Sequence, residues 1–376
     1  MSTTYQNLIP VIEEALPRLD QLSCMLGFDG TVDIICDPVE SRASTGDDYS
    51  AFPTMRDFGQ RIVDADGKSA MIEIVRTQEK IGGNGPIMAN ALASSIANVH
   101  YIGTLGNPDI HPAYSRFSKQ IRCHSIAPPA VTHALEFNNG KVMLVAMSDY
   151  KTVTAESLAK SVGRDNMERL ISESNLVGLL NWTCLPGLNG IMDWLLQDIL
   201  PETPPRLDTG SDRLFFFDLA DPSMHDDNKI STALERIRRF SRHGNVVLGM
   251  NLNETQQICR VLSLPVPEST PTSLCRSIGA IREQLSIHMV MSHPTDFAAC
   301  ATSEGSWSVQ GPHTKTPKIT TGAGDHLNAG FCLALMLGLH PEDALKLGVL
   351  YSGYYVRMAE PPKLIQIPKF IQSLSA

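Results

Sequence analysis

Several short stretches of this chain combine glycine, acid and amide residues in the way that phosphate chemistry demands. The first is Thr320-Thr321-Gly322-Ala323-Gly324-Asp325, followed by an apolar-rich run from His326 to Gly338. Gly322 and Gly324 remove side chains where backbone must approach a ligand, and a helix is predicted to start directly after them. Free amides at a helix N-terminus, aided by the helix dipole, form an anion site. Asp325, in the first helical turn, is then placed to take the proton of a hydroxyl that attacks a phosphoryl group. A plain turn with Asp as helix cap needs the same residues. A bare glycine loop does not decide between the two.

Further stretches narrow the choice. Gly82-Gly83-Asn84-Gly85-Pro86 precedes a predicted helix that Pro86 opens at its first position. A strand-to-helix turn explains one glycine; paired glycines also suit a hinge or a close approach to substrate. Asp29 and Asp33 flank the exit of the first strand and can accept hydrogen bonds from sugar hydroxyls, or serve as turn residues. Asn251-Leu252-Asn253-Glu254 follows an apolar strand and begins a helix. Asn253 as helix cap accounts for part of it, while Asn251 and Glu254 stand at a strand's carboxyl end, where ligands of a magnesium phosphate belong.

The elements that must position these residues alternate. Strands are predicted at Ser23–Phe28, Val99–Gly103, Asn175–Leu180, Leu214–Leu219, Asn245–Met250 and Ile287–Ser292. Helical patterns follow at Pro86–Ala97, Thr232–Phe240, Glu254–Leu262 and Pro341–Met358. Such alternation specifies an α/β fold: a Rossmann-like, mostly parallel sheet flanked by helices, with ligands beyond the strands' carboxyl ends. Two regions break the pattern, about 29–79 and 130–147, with alternating segments around an Asn138-Asn139-Gly140 hairpin turn. They are expected to pair as a small antiparallel β-sheet, a lid within a single domain spanning 1–376. Pro201–Ser211 reads as a surface loop, the tyrosines Tyr351, Tyr354 and Tyr355 as packing residues of the last long helix, and Phe215–Phe217 as buried strand.

Composition bounds the partners. With 376 residues, 43% of them hydrophobic and 19% charged, the chain can bury a large core. A net charge of −9 argues against a nucleic-acid or anionic membrane surface. Eight scattered cysteines without a C-x-x-C pair fit apolar thiols in a reducing compartment. The region Met1–Leu22 has helical spacing and acids rather than a signal pattern, and no apolar run is long enough to span a membrane, so a cytoplasmic protein is expected. His293, His313 and His326 lack metal-ligand spacing and read as surface or loop histidines.

In their order, and over roughly Cys24 to Ile371, these motifs resemble those of the ribokinase-like, or PfkB, carbohydrate kinases. The resemblance implies a Rossmann-like domain with a small lid and an ATP-dependent kinase acting on a sugar or sugar-like hydroxyl. Gly322, Ala323, Gly324 and Asp325 then correspond to the anion hole and catalytic Asp. Asn251 and Glu254 correspond to the magnesium and phosphate motif. Asp29, Asp33, Gly82, Gly83 and Asn84 fall to the substrate, and Asn251, Ser292, Thr320, Thr321 and Asn328 to the nucleotide. The acids of Phe215–Ser223 match a family segment near the transfer site. ATP and Mg2+ are the implied cofactors; a monovalent cation and a homodimer through the lid are further features the resemblance allows. Ile319, Ile87 and the glycine-free stretch Ser292–Phe297 depart from the family's usual residues. A nucleoside kinase on the same fold and a non-catalytic ligand-binding relative remain alternatives, whereas a dehydrogenase lacks its G-x-G-x-x-G after the first strand.

Overall fold

The computed structural model describes residues 3–43, 48–203 and 212–374. In chain order its strands are β1 (Ser23–Phe28), β2 (Thr31–Arg42), β3 (Tyr49–Ala51), β4 (Ile74–Gly82), β5 (Asn98–Gly103), β6 (Arg122–Ser125), β7 (Ala130–Phe137), β8 (Gly140–Ala146), β9 (Leu176–Leu179), β10 (Leu214–Asp218), β11 (Asn245–Met250), β12 (Met289–Ser292), β13 (Phe297–Ala301) and β14 (Ser306–Gln310). Runs such as Cys24-Met25-Leu26 and Phe215-Phe216-Phe217 are apolar at every position, so their strands must be covered on both faces. Nine strands accordingly form one sheet in the order β14-β13-β12-β11-β10-β9-β1-β5-β6. The pairings from β6 to β12 are parallel. Leu26, Phe216 and Val247 share one core with helices Asn84–Ala93, Ala323–Met336 and Pro341–Met358. Met25, Phe215 and Leu248 share the other with helices Asp227–Arg239 and Pro271–Leu285.

The sequence expectations need correction at the edges. β13 and β14 continue the sheet antiparallel, and β6 adds a strand at the opposite edge. The edge strands β6 and β14 are partly exposed and lack an unbroken apolar run, whereas β13 is buried at every position. The helix after the paired glycines starts at Asn84, with Gly83 before it, so Pro86 is third rather than first. That position tolerates proline because the first turn's amides have no intrahelical partner anyway. Of the loop expected at Pro201–Ser211, residues 204–211 lie outside the described residues. All eight cysteines are free thiols. Among the described residues no helix is long and apolar enough to cross a membrane.

The small second sheet follows the order β3-β2-β7-β8, with β4 also on β2. Its hairpins are antiparallel, and Phe137 pairs with Gly140 across the predicted turn. The β2–β7 pairing, however, is parallel, with Thr31 opposite Ala130 and Cys36 opposite Leu135. The chain traverses the large sheet through β5 and β6 between those strands and so re-enters in the same direction, as a parallel pair requires.

Candidate functional site

The glycine turn lies where two cavities meet. Thr320, Ala323 and Gly324 line a cleft of about 440 Å³, whose other walls include His293, Phe297, Pro312 and Val349. Thr321, Gly322 and Asp325 line a second cavity of about 310 Å³. Gly322 has a φ of +88°, and a Cβ there would lie 3.2 Å from the Ile87 side chain, so both conformation and space favour glycine. A Cβ on Gly324 would lie 3.0 Å from the His293 ring. The Ala323 amide is not free to bind an anion, because it donates to the Thr320 carbonyl at 3.1 Å. Among the described residues the amides of Gly322, Gly324 and Asp325 have no backbone carbonyl partner.

The smaller cavity has two kinds of wall. Asp33, Asn84, Thr132, Asn181, Thr183 and Asp221 supply polar groups, while Ile87, Met143, Val145, Cys184 and Met224 supply apolar surface. Asn181 Oδ1 and Thr183 Oγ1 are buried without a hydrogen-bond partner, which native side chains rarely tolerate unless a ligand or water completes them. Asp33 sits beside Gly82, where a Cβ would lie 2.3 Å from its carboxylate oxygen. Burial pushes the Asp33 carboxyl up, while Lys80, Lys141 and the Thr132 hydroxyl act in the other direction. Lys141, on the lid strand β8, donates to Thr321 Oγ1 and so ties the lid to the glycine turn.

Asp29 does not face the cavity, contrary to its expected role in substrate binding. It is fully buried and accepts from the Gly85 amide at 3.1 Å, the Tyr101 hydroxyl at 2.9 Å and Asn181 Nδ2 at 2.9 Å. Its oxygens thereby fix Asn181 and the start of helix Asn84–Ala93, and a Cβ on Gly83 would lie 2.5 Å from one of them. Asp29 holds Asn181 and the start of helix Asn84–Ala93, and Asp33, on β2, is the acid of the pair that lines the cavity.

Behind the turn lies a group of carboxyls. Burial raises the Asp325 pKa well above its ordinary value, and the charges of Asp218, Asp29 and Glu254 add to the shift. Glu254 is likewise raised, first by burial and then by Asp218. Asn251, not Asn253, caps the helix Leu252–Val261. Its side chain accepts from the Glu254 amide at 3.0 Å, and Glu254 accepts from the Asn251 amide at 2.8 Å and from Asn251 Nδ2 at 2.6 Å, a reciprocal capping box. Among the described residues no group of three or more His, Cys, Asp or Glu side chains could hold a metal. The mutually repelling acids still fit a divalent cation held mainly through phosphate oxygens and water.

Two expected nucleotide contacts are set back from the larger cleft. The Ser292 hydroxyl is fully buried and bonded to Thr255 at 2.7 Å. Asn328 is buried and donates to Asp218 at 3.0 Å. Neither side chain lines either cavity. His293 takes the place beside the cleft instead, and His326 is buried rather than a surface histidine. Asn181 and Thr183 were missed by the motif reading, although their position beyond β9 is where such sheets bind ligands.

The sequence profile of the prokaryotic ketohexokinase family matches residues 2–374. A ketohexokinase from Haloferax volcanii is 26% identical over 360 residues, covering 95% of this chain and 93% of that relative. Among solved structures, a ribokinase from Arabidopsis thaliana complexed with ribose and ATP has a TM-score of 0.61 at 14% identity, covering 94% of this chain and 99% of the other. A phosphofructokinase-2 variant from Escherichia coli has a TM-score of 0.63 at 12% identity, again covering 94% and 99%. At these identities the structural likeness speaks to the fold.

Proposed function

The chain belongs to the prokaryotic ketohexokinase family, and on that premise we propose that this sugar kinase moves the γ-phosphoryl group of ATP to a hydroxyl of a ketohexose, with Asp325 as base. The observation that supports this best is the turn Thr320–Asp325, whose residues are divided between the walls of two cavities. ATP occupies the larger cleft with its phosphates on the Gly324 and Asp325 amides, and the ketose occupies the smaller cavity beside Asp33. The acceptor oxygen forms the new bond to phosphorus and its proton passes to Asp325. The bond from phosphorus to the β–γ bridging oxygen breaks, and that electron pair leaves with ADP. Glu254, Asn251 and Asp218 would hold a Mg2+ ion, which would neutralise charge on the phosphate oxygens. Lys141 brings a positive charge from the lid to the same seam, and the lid excludes water that would otherwise hydrolyse ATP.

ATP consumption across ketohexoses, aldoses and nucleosides tests the reading. A ketohexose is expected to turn over fastest; preference for a nucleoside would establish the nucleoside-kinase alternative in its place. Glu254→Gln is expected to raise the Mg2+ concentration for half-maximal rate more than it alters the KM for sugar, because Glu254 adjoins the acids and not the sugar cavity. An unchanged Mg2+ titration would reduce the Asn251–Glu254 pair to a helix cap.

A further inference from the structure

Successive carbonyls of the glycine turn are all occupied, and two of them are held by side chains. The Thr320 carbonyl accepts from the Ala323 amide at 3.1 Å. The Thr321 carbonyl accepts from the Tyr355 hydroxyl at 3.1 Å. The Gly322 carbonyl accepts both the His326 amide at 3.1 Å and His326 Nδ1 at 2.7 Å. The rings of His326 and Tyr355 stack, with centroids 3.5 Å apart and planes within 13°. His326 is 2% exposed, and neither ring lines either cavity.

From this geometry we propose that His326 and Tyr355 form a carbonyl clamp that aims the anion site. A peptide unit is planar, so pinning a carbonyl fixes the direction of the amide that shares its plane. Holding Thr321 O orients the Gly322 amide, and holding Gly322 O, together with the left-handed φ of that glycine, sets the path into Gly324 and Asp325. The carbonyls, which would repel a phosphoryl oxygen, are kept on the protein side. Nδ1 must carry a proton to donate, and in the neutral ring Nε2 is then the lone-pair nitrogen. Nε2 is buried without a partner, and burial lowers the ring's pKa to about 4, which keeps that tautomer in use across the physiological range. Both residues are positioning residues: they touch the turn and not the substrates.

The proposal rests on the kinase reading above, and the variants separate the two. Tyr355→Phe keeps the stack and removes one bond; His326→Leu removes the other. Each is expected to lower kcat about tenfold, since small displacements of a positioned group carry costs of that order or more. KM for sugar and affinity for ADP are expected to stay within about twofold, an estimate that treats the loss as confined to the transition state. His326→Asn places an amide nitrogen at the Nδ1 position and is expected to restore most of the rate. A folded His326→Leu or Tyr355→Phe protein with wild-type kcat would overturn the clamp, as would His326→Asn as slow as His326→Leu. If the wild type phosphorylates no ketohexose, the kinase reading fails first. The clamp is then judged by binding of ADP with aluminium fluoride, which needs no sugar: weaker binding in His326→Leu but not His326→Asn supports it, and equal binding overturns it.

Discussion

Asp325→Asn is expected to lower kcat by about 10²–10⁴-fold, the usual cost of losing a general base, with little change in fold or nucleotide affinity. Asn keeps the shape of the side chain and the helix start while removing the ability to take a proton. The raised Asp325 pKa, caused first by burial and then by Asp218, Asp29 and Glu254, gives this prediction a pH signature. The base works only when ionised, so kcat/KM should fall as pH drops through a value above the ordinary carboxylate range. Stability runs the other way. A carboxyl with a raised folded-state pKa binds its proton more tightly when folded, so its favourable contribution is present at low pH and lost as pH rises through that window. The variant should therefore melt no lower than the wild type at neutral pH. Rate measurements against pH on protein of confirmed Tm check both halves; a folded variant within twofold of wild-type turnover would remove Asp325 from the mechanism.

Asp33→Ala is expected to weaken sugar binding by at least about tenfold, since hydrogen bonds to a charged group are worth about 1.5–3 kcal/mol each. Asp33 lines the smaller cavity, is 5% exposed and has Gly82 against it, so no other side chain can easily move in to replace it. The nucleotide cleft is walled by residues of the later half of the chain, and ATP affinity should change little. Separate calorimetric titrations of each ligand decide the matter. Collapse of ATP binding with normal sugar binding would show the two ligands assigned to the wrong cavities.

The parallel sheet was legible because its central strands carry unbroken apolar runs, and β1 and β11 fall on their predicted residues. The β2–β7 pairing was not, since nothing local says which way a strand re-enters a sheet. The glycines of both turns were legible because backbone chemistry restricts which residues can stand there, and they drew attention to Asp325 beside them. Asp29 and Asp33 read alike in sequence, yet three donors enclose one and the cavity reaches the other. Tyr355 and its neighbour Tyr351 both read as packing residues. Tyr351 does pack, bonding to Ser95 at 2.8 Å, while Tyr355, one helical turn on, reaches the Thr321 carbonyl. Such roles depend on which turn of one helix meets which residue of another, and no spacing within a single element encodes that.

The most direct measurement is a crystal structure with a non-hydrolysable ATP analogue and a ketohexose bound together. The account predicts the nucleotide beside His293 and Pro312, its terminal phosphate on the Gly324 amide, and the ketose beside Asp33 with one hydroxyl oxygen in hydrogen-bond reach of Asp325. A ketose hydroxyl directed away from Asp325, or the two ligands in exchanged cavities, would contradict it.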